Sequence, residues 1–108
     1  MTLSDFEQQV FAVATVSGLC GIPHLRRLTA TSISLRVDLT VGGLIDAFYN
    51  EQTGTMAFAL IQENRSVLGA DNTGEWHMHP FKDPQLHIPI RHPLSFGDFV
   101  AEIERELS

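Results

Sequence analysis

Residues 31 to 41 constrain the fold more than any other part of the chain. Apolar and polar residues alternate through this stretch without a fault, the apolar set being Ile33, Leu35, Val37, Leu39 and Val41. Since side chains of a β-strand point alternately to opposite faces, this period of two predicts a strand with one buried and one solvated face. The glycine pair Gly42-Gly43 that follows is typical of a two-residue β-hairpin turn.

Three more strands are predicted after this turn, over residues 44–50, 55–62 and 66–70. Asn50 to Gly54 reads as a turn closed by a left-handed glycine, and Glu63-Asn64-Arg65 as another tight turn. Short connections of this kind favour an antiparallel meander in sequential order. The strand over 55–62 is apolar on both faces, which indicates either a central strand covered on both sides or an interface.

Two helices are predicted at the ends of the chain. The first covers residues 5–17, with Ser4 and Glu7 as a capping box and Gly18 as the left-handed residue that ends it. Residues 24–30 are interpreted as a linker whose pair Arg26-Arg27 is a solvated surface feature. The second helix follows Ser95 as N-cap and Asp98 in its first turn, and its apolar stripe contains Phe96, Phe99, Val100, Ile103 and Leu107.

These elements predict a single α+β domain over residues 1–108. The expected architecture is a four-stranded antiparallel meander sheet with the N-terminal and C-terminal helices packed on one face. A chain of 108 residues has room for one core and no second domain.

Charge and composition exclude several classes of protein. A formal net charge of −6 argues against coating of duplex nucleic acid or of an anionic membrane, although a local contact with RNA stays open. Cys20 is the lone cysteine, so no intramolecular disulfide forms, and it is interpreted as a small apolar side chain. No apolar run approaches the roughly 20 residues of a membrane span, and the first residues are acidic and amphipathic. A cytoplasmic location is expected.

The segment 69–90 concentrates the unusual chemistry, with three of the five histidines and the only tryptophan. In an extended backbone, His77 and His79 project to the same side and share a divalent metal, with Asp71 and His87 as further ligands. A second hypothesis uses the same pair beside Lys82 as general acid and base on a phosphodiester. A third treats the segment as an ordered loop on a sheet edge, braced by backbone-bonded histidines and by Trp76, Pro80, Phe81, Pro84, Pro89 and Pro93.

The pair Asp71-Asn72, followed by His77-Met78-His79, a Pro-rich stretch and a short acidic C-terminal helix, resembles the TumE-type toxins of prokaryotic toxin–antitoxin pairs. The likeness extends from residue 31 onward. The chain differs in having no doubled histidines, in carrying Gly74-Glu75-Trp76 where proline and histidine are expected, and in its additional N-terminal helix. The resemblance implies a prokaryotic cytoplasmic protein with a helix-turn-helix antitoxin as partner.

Three functions follow as hypotheses. The first is a toxin–antitoxin component that acts through protein interaction, with no catalytic step assigned. The alternative is a ribonuclease or other phosphodiesterase that uses His77 and His79, with Asp71, and with or without a divalent metal. The third is a structural homodimer, supported by the two-faced apolar strand over residues 55–62.

Overall fold

The computed structural model describes residues 1–80 and 86–107, which fold into one antiparallel sheet flanked by two helices. The sheet has seven strands in sequential order. The elements are α1 (Leu3–Val16), β1 (His24–Leu28), β2 (Ser32–Asp38), β3 (Leu44–Asn50), β4 (Met56–Gln62), β5 (Arg65–Asp71), β6 (His77–His79), β7 (Ile88–Pro89) and α2 (Phe96–Leu107). The predicted α+β meander is confirmed, but the expected number of four strands is wrong.

The three missed strands lie where a linker and a loop were expected. The first strand, β1, occupies most of the expected linker and pairs with β2, with an irregular register between Leu25 and Arg27. That irregularity interrupts the alternation by which a strand is recognised. Strands β6 and β7 have three and two residues, too few for a period to be visible in sequence.

The capping box of α1 begins two residues earlier than predicted. The Thr2 hydroxyl accepts a hydrogen bond from the backbone N–H of Asp5 at 3.0 Å, and the Thr2 N–H donates to the Asp5 carboxylate at 2.9 Å. The backbone bond from Thr2 and then its side-chain bond lower the pKa of Asp5. At the other end Ser17 is the C-cap in an extended conformation, and Gly18 does not adopt the left-handed conformation predicted for it.

The predicted turns are present, with one change of size. Gly42 and Gly43 have φ of +98° and +85°, but the Leu39 N–H donates to the Gly43 carbonyl at 3.0 Å, so the turn is longer than two residues. Between β4 and β5, Glu63 and Asn64 have φ of +53° and +62°. The pairing of Gln62 with Arg65 makes those two residues a complete hairpin turn.

One face of the sheet, called here the inner face, is covered by both helices. The Phe58 ring of β4 lies 6.3 Å from Phe6 of α1 and 5.8 Å and 5.4 Å from Phe96 and Phe99 of α2. The inner-face residues of β2 to β5 are buried with them, among them Leu35, Val37, Ile45, Leu60 and Leu68. The predicted position of both helices on one face is confirmed.

Neither described helix lies over the opposite, outer face. Ala57, Ala59 and Ile61 of β4 lie on this face and are half-buried, so within residues 1–80 and 86–107 β4 is covered by helices on one side only.

The predicted cap and stripe of α2 are largely confirmed. Ser95 and Asp98 exchange hydrogen bonds of 2.9 Å and 3.0 Å. The stripe of α2 is buried except at Leu107, which is exposed at the end of the helix. Neither described helix is long and apolar enough to cross a membrane.

Phe58→Ala is expected to lower the free energy of unfolding by about 3–5 kcal/mol, because it removes the ring that both helices contact. Chemical denaturation monitored by circular dichroism measures the change. Phe48→Ala is the matched control, since this aromatic residue of the adjacent strand lies on the uncovered face and is only half-buried. Equal losses for the two variants would contradict the one-sided core.

Gly43→Ala is expected to destabilise the protein by about 1–3 kcal/mol more than Gly42→Ala. Both glycines have positive φ, so both variants carry the same class of backbone strain. Only at Gly43 would a Cβ meet the Ile61 carbonyl oxygen, at 2.5 Å, whereas the space at Gly42 is open. Thermal unfolding of both variants checks the difference, and equal midpoints would refute the close approach.

Candidate metal centre

Strand pairing brings the three predicted histidines together on the outer face. β5 and β6 pair so that Asp71 lies opposite His77 and Gly69 opposite His79. His87 immediately precedes β7, in which Ile88 pairs with Met78. The three imidazole rings form a cluster with centroids 5.1 Å, 5.1 Å and 4.3 Å apart.

The direction of the imidazoles follows from what anchors β6. Met78 and Trp76 pack against the hydrophobic core, and the Ile90 N–H donates to the Trp76 carbonyl at 2.9 Å. Because neighbouring residues of a strand point to opposite faces, burial of Met78 directs His77 and His79 outward together. Residues 77–79 and 88–89 of the segment over 76–90 are therefore strands of the sheet where a loop was expected, and the other described residues of the segment stay outside the strands.

The spacing of the donor atoms fits a shared metal ion. One nitrogen from each of His77, His79 and His87 lies within 4.8 Å of the other two. The Asp71 carboxylate lies 3.2 Å from His77 Nε2 and 3.5 Å from His79 Nε2. Ligand atoms around tetrahedral zinc are about 3.3 Å apart, given bonds of about 2.0–2.1 Å. Asp71 has this spacing to His77 and to His79, and the nitrogens of the three histidines are spread within 4.8 Å of one another.

The hydrogen bond of His77 determines which of its nitrogens is available to a metal. His77 Nδ1 lies 2.9 Å from the Glu75 carbonyl oxygen, which can only accept, so Nδ1 carries the proton of the bond. In the neutral ring, the lone pair of His77 Nε2 then faces the Asp71 carboxylate. Both the nitrogen and the carboxylate oxygen are acceptors, so a contact of 3.2 Å between them requires a cation or a proton. A backbone carbonyl that orients a histidine in this way is common at metal sites.

Asp71 and Asn72 have separate tasks. The Asn72 side chain accepts from the Met56 N–H at 2.7 Å and donates to the Gly54 carbonyl at 2.9 Å, which ties the end of β5 to the start of β4. Asp71 accepts from the Thr73 N–H at 3.0 Å and so caps the turn that follows β5. The same carboxylate faces the two histidines. Asn72 therefore fixes the backbone, and Asp71 presents its charge to the imidazoles.

Among the residues that the structure describes, the cluster is enclosed on one side and exposed at His87 on the other. The side chains of Asp71, His77 and His79 are 20–23% exposed, whereas His87 is exposed. A cavity of about 350 Å³ lies beside Asp71 and His79 on the outer face. Structural zinc sites are closed by protein ligands, and catalytic ones keep a position open for water or substrate. The open side is typical of the second kind.

The remaining candidates lie elsewhere. His24 is on β1, at the other edge of the sheet, and the His92 ring bonds to the Pro93 carbonyl. Burial raises the pKa of the half-buried Cys20 thiol, which disfavours a nucleophilic thiolate. Lys82, together with Phe81 and Pro84, lies outside the described residues.

The sequence gives no signal for the Glu75 carbonyl, because a backbone group has no residue type by which to recognise it. Asp46 and Phe48 line the cavity, but the strand pattern of residues 44–50 does not distinguish them from their neighbours.

No family model, no curated protein and no solved structure matches the chain.

His87→Ala is expected to weaken zinc binding by at least about a hundredfold, since changes even to residues behind a metal ligand commonly cost 10–100-fold. Competition against a fluorescent chelator measures the affinity. His92→Ala is the matched control and should bind zinc as the wild type does, because His92 lies outside the cluster. Equal affinities for both variants, or no zinc binding by the wild type, would rule out the site.

Proposed function

We propose that this protein is a metal-dependent phosphodiesterase of the ribonuclease class, with its ion held by His77, His79, His87 and Asp71. The observation that carries the proposal is the cluster of three imidazoles with a carboxylate at ligand spacing, open to solvent on the His87 side. Three imidazoles and a carboxylate suit zinc and the neighbouring divalent transition metals. Such an ion supplies charge stabilisation at the phosphoryl oxygens and an acidified water.

The chain's own groups have distinct tasks in this proposal. The Glu75 carbonyl holds the His77 ring in one orientation, and the paired strands β5 and β6 hold Asp71 opposite it. Asp71 offsets the positive charge of the centre. His87 is the ligand nearest solvent, so the phosphodiester approaches from its side.

The phosphodiester substrate is supported by two features. One is the resemblance of Asp71-Asn72 and His77-Met78-His79 to the motif of TumE-type toxins. The other is the arginine pair Arg26-Arg27, which lines a second depression on the same face of the sheet and suits a phosphate. Free histidines acting without metal are the runner-up, because the same imidazoles remain general acids and bases.

A toxin–antitoxin role agrees with this activity. A protein that cuts cellular RNA needs a partner to suppress it, and an antitoxin that covers the open His87 side would do so. The antitoxin, the cytoplasmic location and the homodimer expected from the apolar outer face of β4 all stay predictions. Sedimentation at micromolar concentration tests the dimer, and a monomer would remove it.

The zinc- or manganese-loaded protein is expected to cleave single-stranded RNA, and His79→Ala to slow cleavage by at least about a hundredfold. Removal of the ion by EDTA should abolish the activity, and added metal should restore it. His24→Ala is the matched control and should retain full activity.

Three results would contradict metal-dependent cleavage at the histidine cluster. Cleavage that survives both EDTA and His79→Ala would identify a contaminating nuclease. If His79→Ala loses activity while cleavage by the wild type survives EDTA, metal-free histidine catalysis is favoured. A melting temperature several degrees lower for His79→Ala, with activity retained, would assign the cluster a structural role.

A further inference from the structure

Two adjoining depressions on the outer face of the sheet, together called here the trough, lead away from the histidine cluster. One cavity of about 350 Å³ extends from His79 and Asp71 across Ala57, Ala59 and Gly69 to Asp46 and Phe48. A second, of about 440 Å³, continues from Asp46 and Phe48 to Arg26 and Arg27. The two depressions share a border at β3. The trough therefore has the metal centre at one end, an aromatic side chain in its middle and arginines at the other end.

The trough is recessed because small residues occupy its middle. Register places Asp46, Ala59, Gly69 and His79 in one row from β3 to β6. The two small residues lie between two larger ones. Phe48 stands in the neighbouring row, opposite Ala57. A flat group that enters this space meets the half-exposed Phe48 ring on one side and apolar methyl groups below.

The arginines supply the charge that a phosphate requires. The Arg26 guanidinium reaches across β2 to the Asp46 carboxylate at 3.4 Å, and Arg36 pairs with Asp38 at 2.9 Å. No carboxylate among the described residues pairs with Arg27. Arg26 and Arg36 are therefore each paired with a carboxylate, and Arg27 supplies the charge that is available to a phosphate.

The dimensions of the trough match a short single strand. Neighbouring strands are about 4.8 Å apart, so the five steps from β6 to β1 cover about 24 Å. That distance corresponds to about seven nucleotides at the stacked spacing of about 3.4 Å, and to fewer when the bases are splayed. A duplex keeps its bases stacked inside, whereas an open sheet with an exposed aromatic ring suits the splayed bases of a single strand.

From these features we propose that the outer face binds single-stranded RNA, with one base stacked on Phe48 and a backbone phosphate at Arg27. The inference rests on the proposed ribonuclease function and names how its substrate is held. The strand runs across β3, β4 and β5, and its scissile phosphate lies at the histidine cluster. Arg26 keeps Asp46 neutralised, so that this carboxylate does not repel the backbone.

The test uses a fluorescein-labelled 2′-O-methyl hexauridine in the presence of EDTA, so that neither a 2′-hydroxyl nor a metal-bound water can cleave it, with binding followed by fluorescence anisotropy. Phe48→Leu keeps an apolar side chain but loses stacking, and is expected to weaken binding about five- to a hundredfold. Phe48→Tyr should bind as the wild type does. Phe11→Ala, an aromatic residue of α1 with no part in the trough, is the control for Phe48.

Arg27→Ala is expected to weaken binding at physiological salt and to reduce the slope of log affinity against log salt by about 0.7, the value for one phosphate of a single strand. Arg65→Ala is its control, since Arg65 lies at the β4–β5 turn and should leave the slope unchanged. Circular dichroism confirms that each variant is folded.

The outcomes separate the two proposals. Weakened binding by Phe48→Leu and Arg27→Ala, but not by their controls, supports the RNA trough. No binding by the wild type, or equal binding by all variants, overturns it, even if RNA cleavage is observed. Binding with the expected pattern but no cleavage by the metal-loaded protein overturns the ribonuclease function and leaves the binding face in place.

Discussion

The packing of two terminal helices on a single face of the sheet is the constraint on which the rest of the structure depends. Phe58 contacts Phe6 from one end of the chain and Phe96 and Phe99 from the other. Burial of these rings commits the inner face to the core, because apolar area removed from water is the main favourable contribution to folding. The two helices leave the opposite face uncovered, and the candidate residues that the structure describes lie there.

Strand pairing converts this one-sided core into a site. Side chains that are distant in sequence become neighbours when their strands pair, and the alternation of faces decides which of them share a surface. Asp71 meets His77 directly across the β5–β6 pair, and Met78, turned to the core, directs both of its neighbours outward. A shift of β6 by one residue would bury the histidines and expose Met78. The core contact of Met78 is therefore part of the site.

The same geometry connects the centre to the far edge of the sheet. The strand order runs from β1 to β7 without a crossover, so the arginines of β1 and the histidines of β6 lie at opposite ends of one surface. The small residues Ala57, Ala59 and Gly69 leave the surface between the arginines and the histidines recessed. A sheet covered on both faces would have no such surface, which links the architecture to the proposed activity.

The sequence by itself determined the α+β class, the central hairpins, the cap of α2 and the projection of His77 and His79 to one side. Each has a local signal: a period of two, a glycine with positive φ, a Ser-Asp cap or a His-x-His spacing. Only the tertiary structure decided that β1, β6 and β7 extend the sheet, since an irregular strand and strands of two or three residues have no readable period. It also decided that His87 joins His77 and His79 and that Arg26 and Phe48 share their face, because such neighbours arise from the pairing of distant segments.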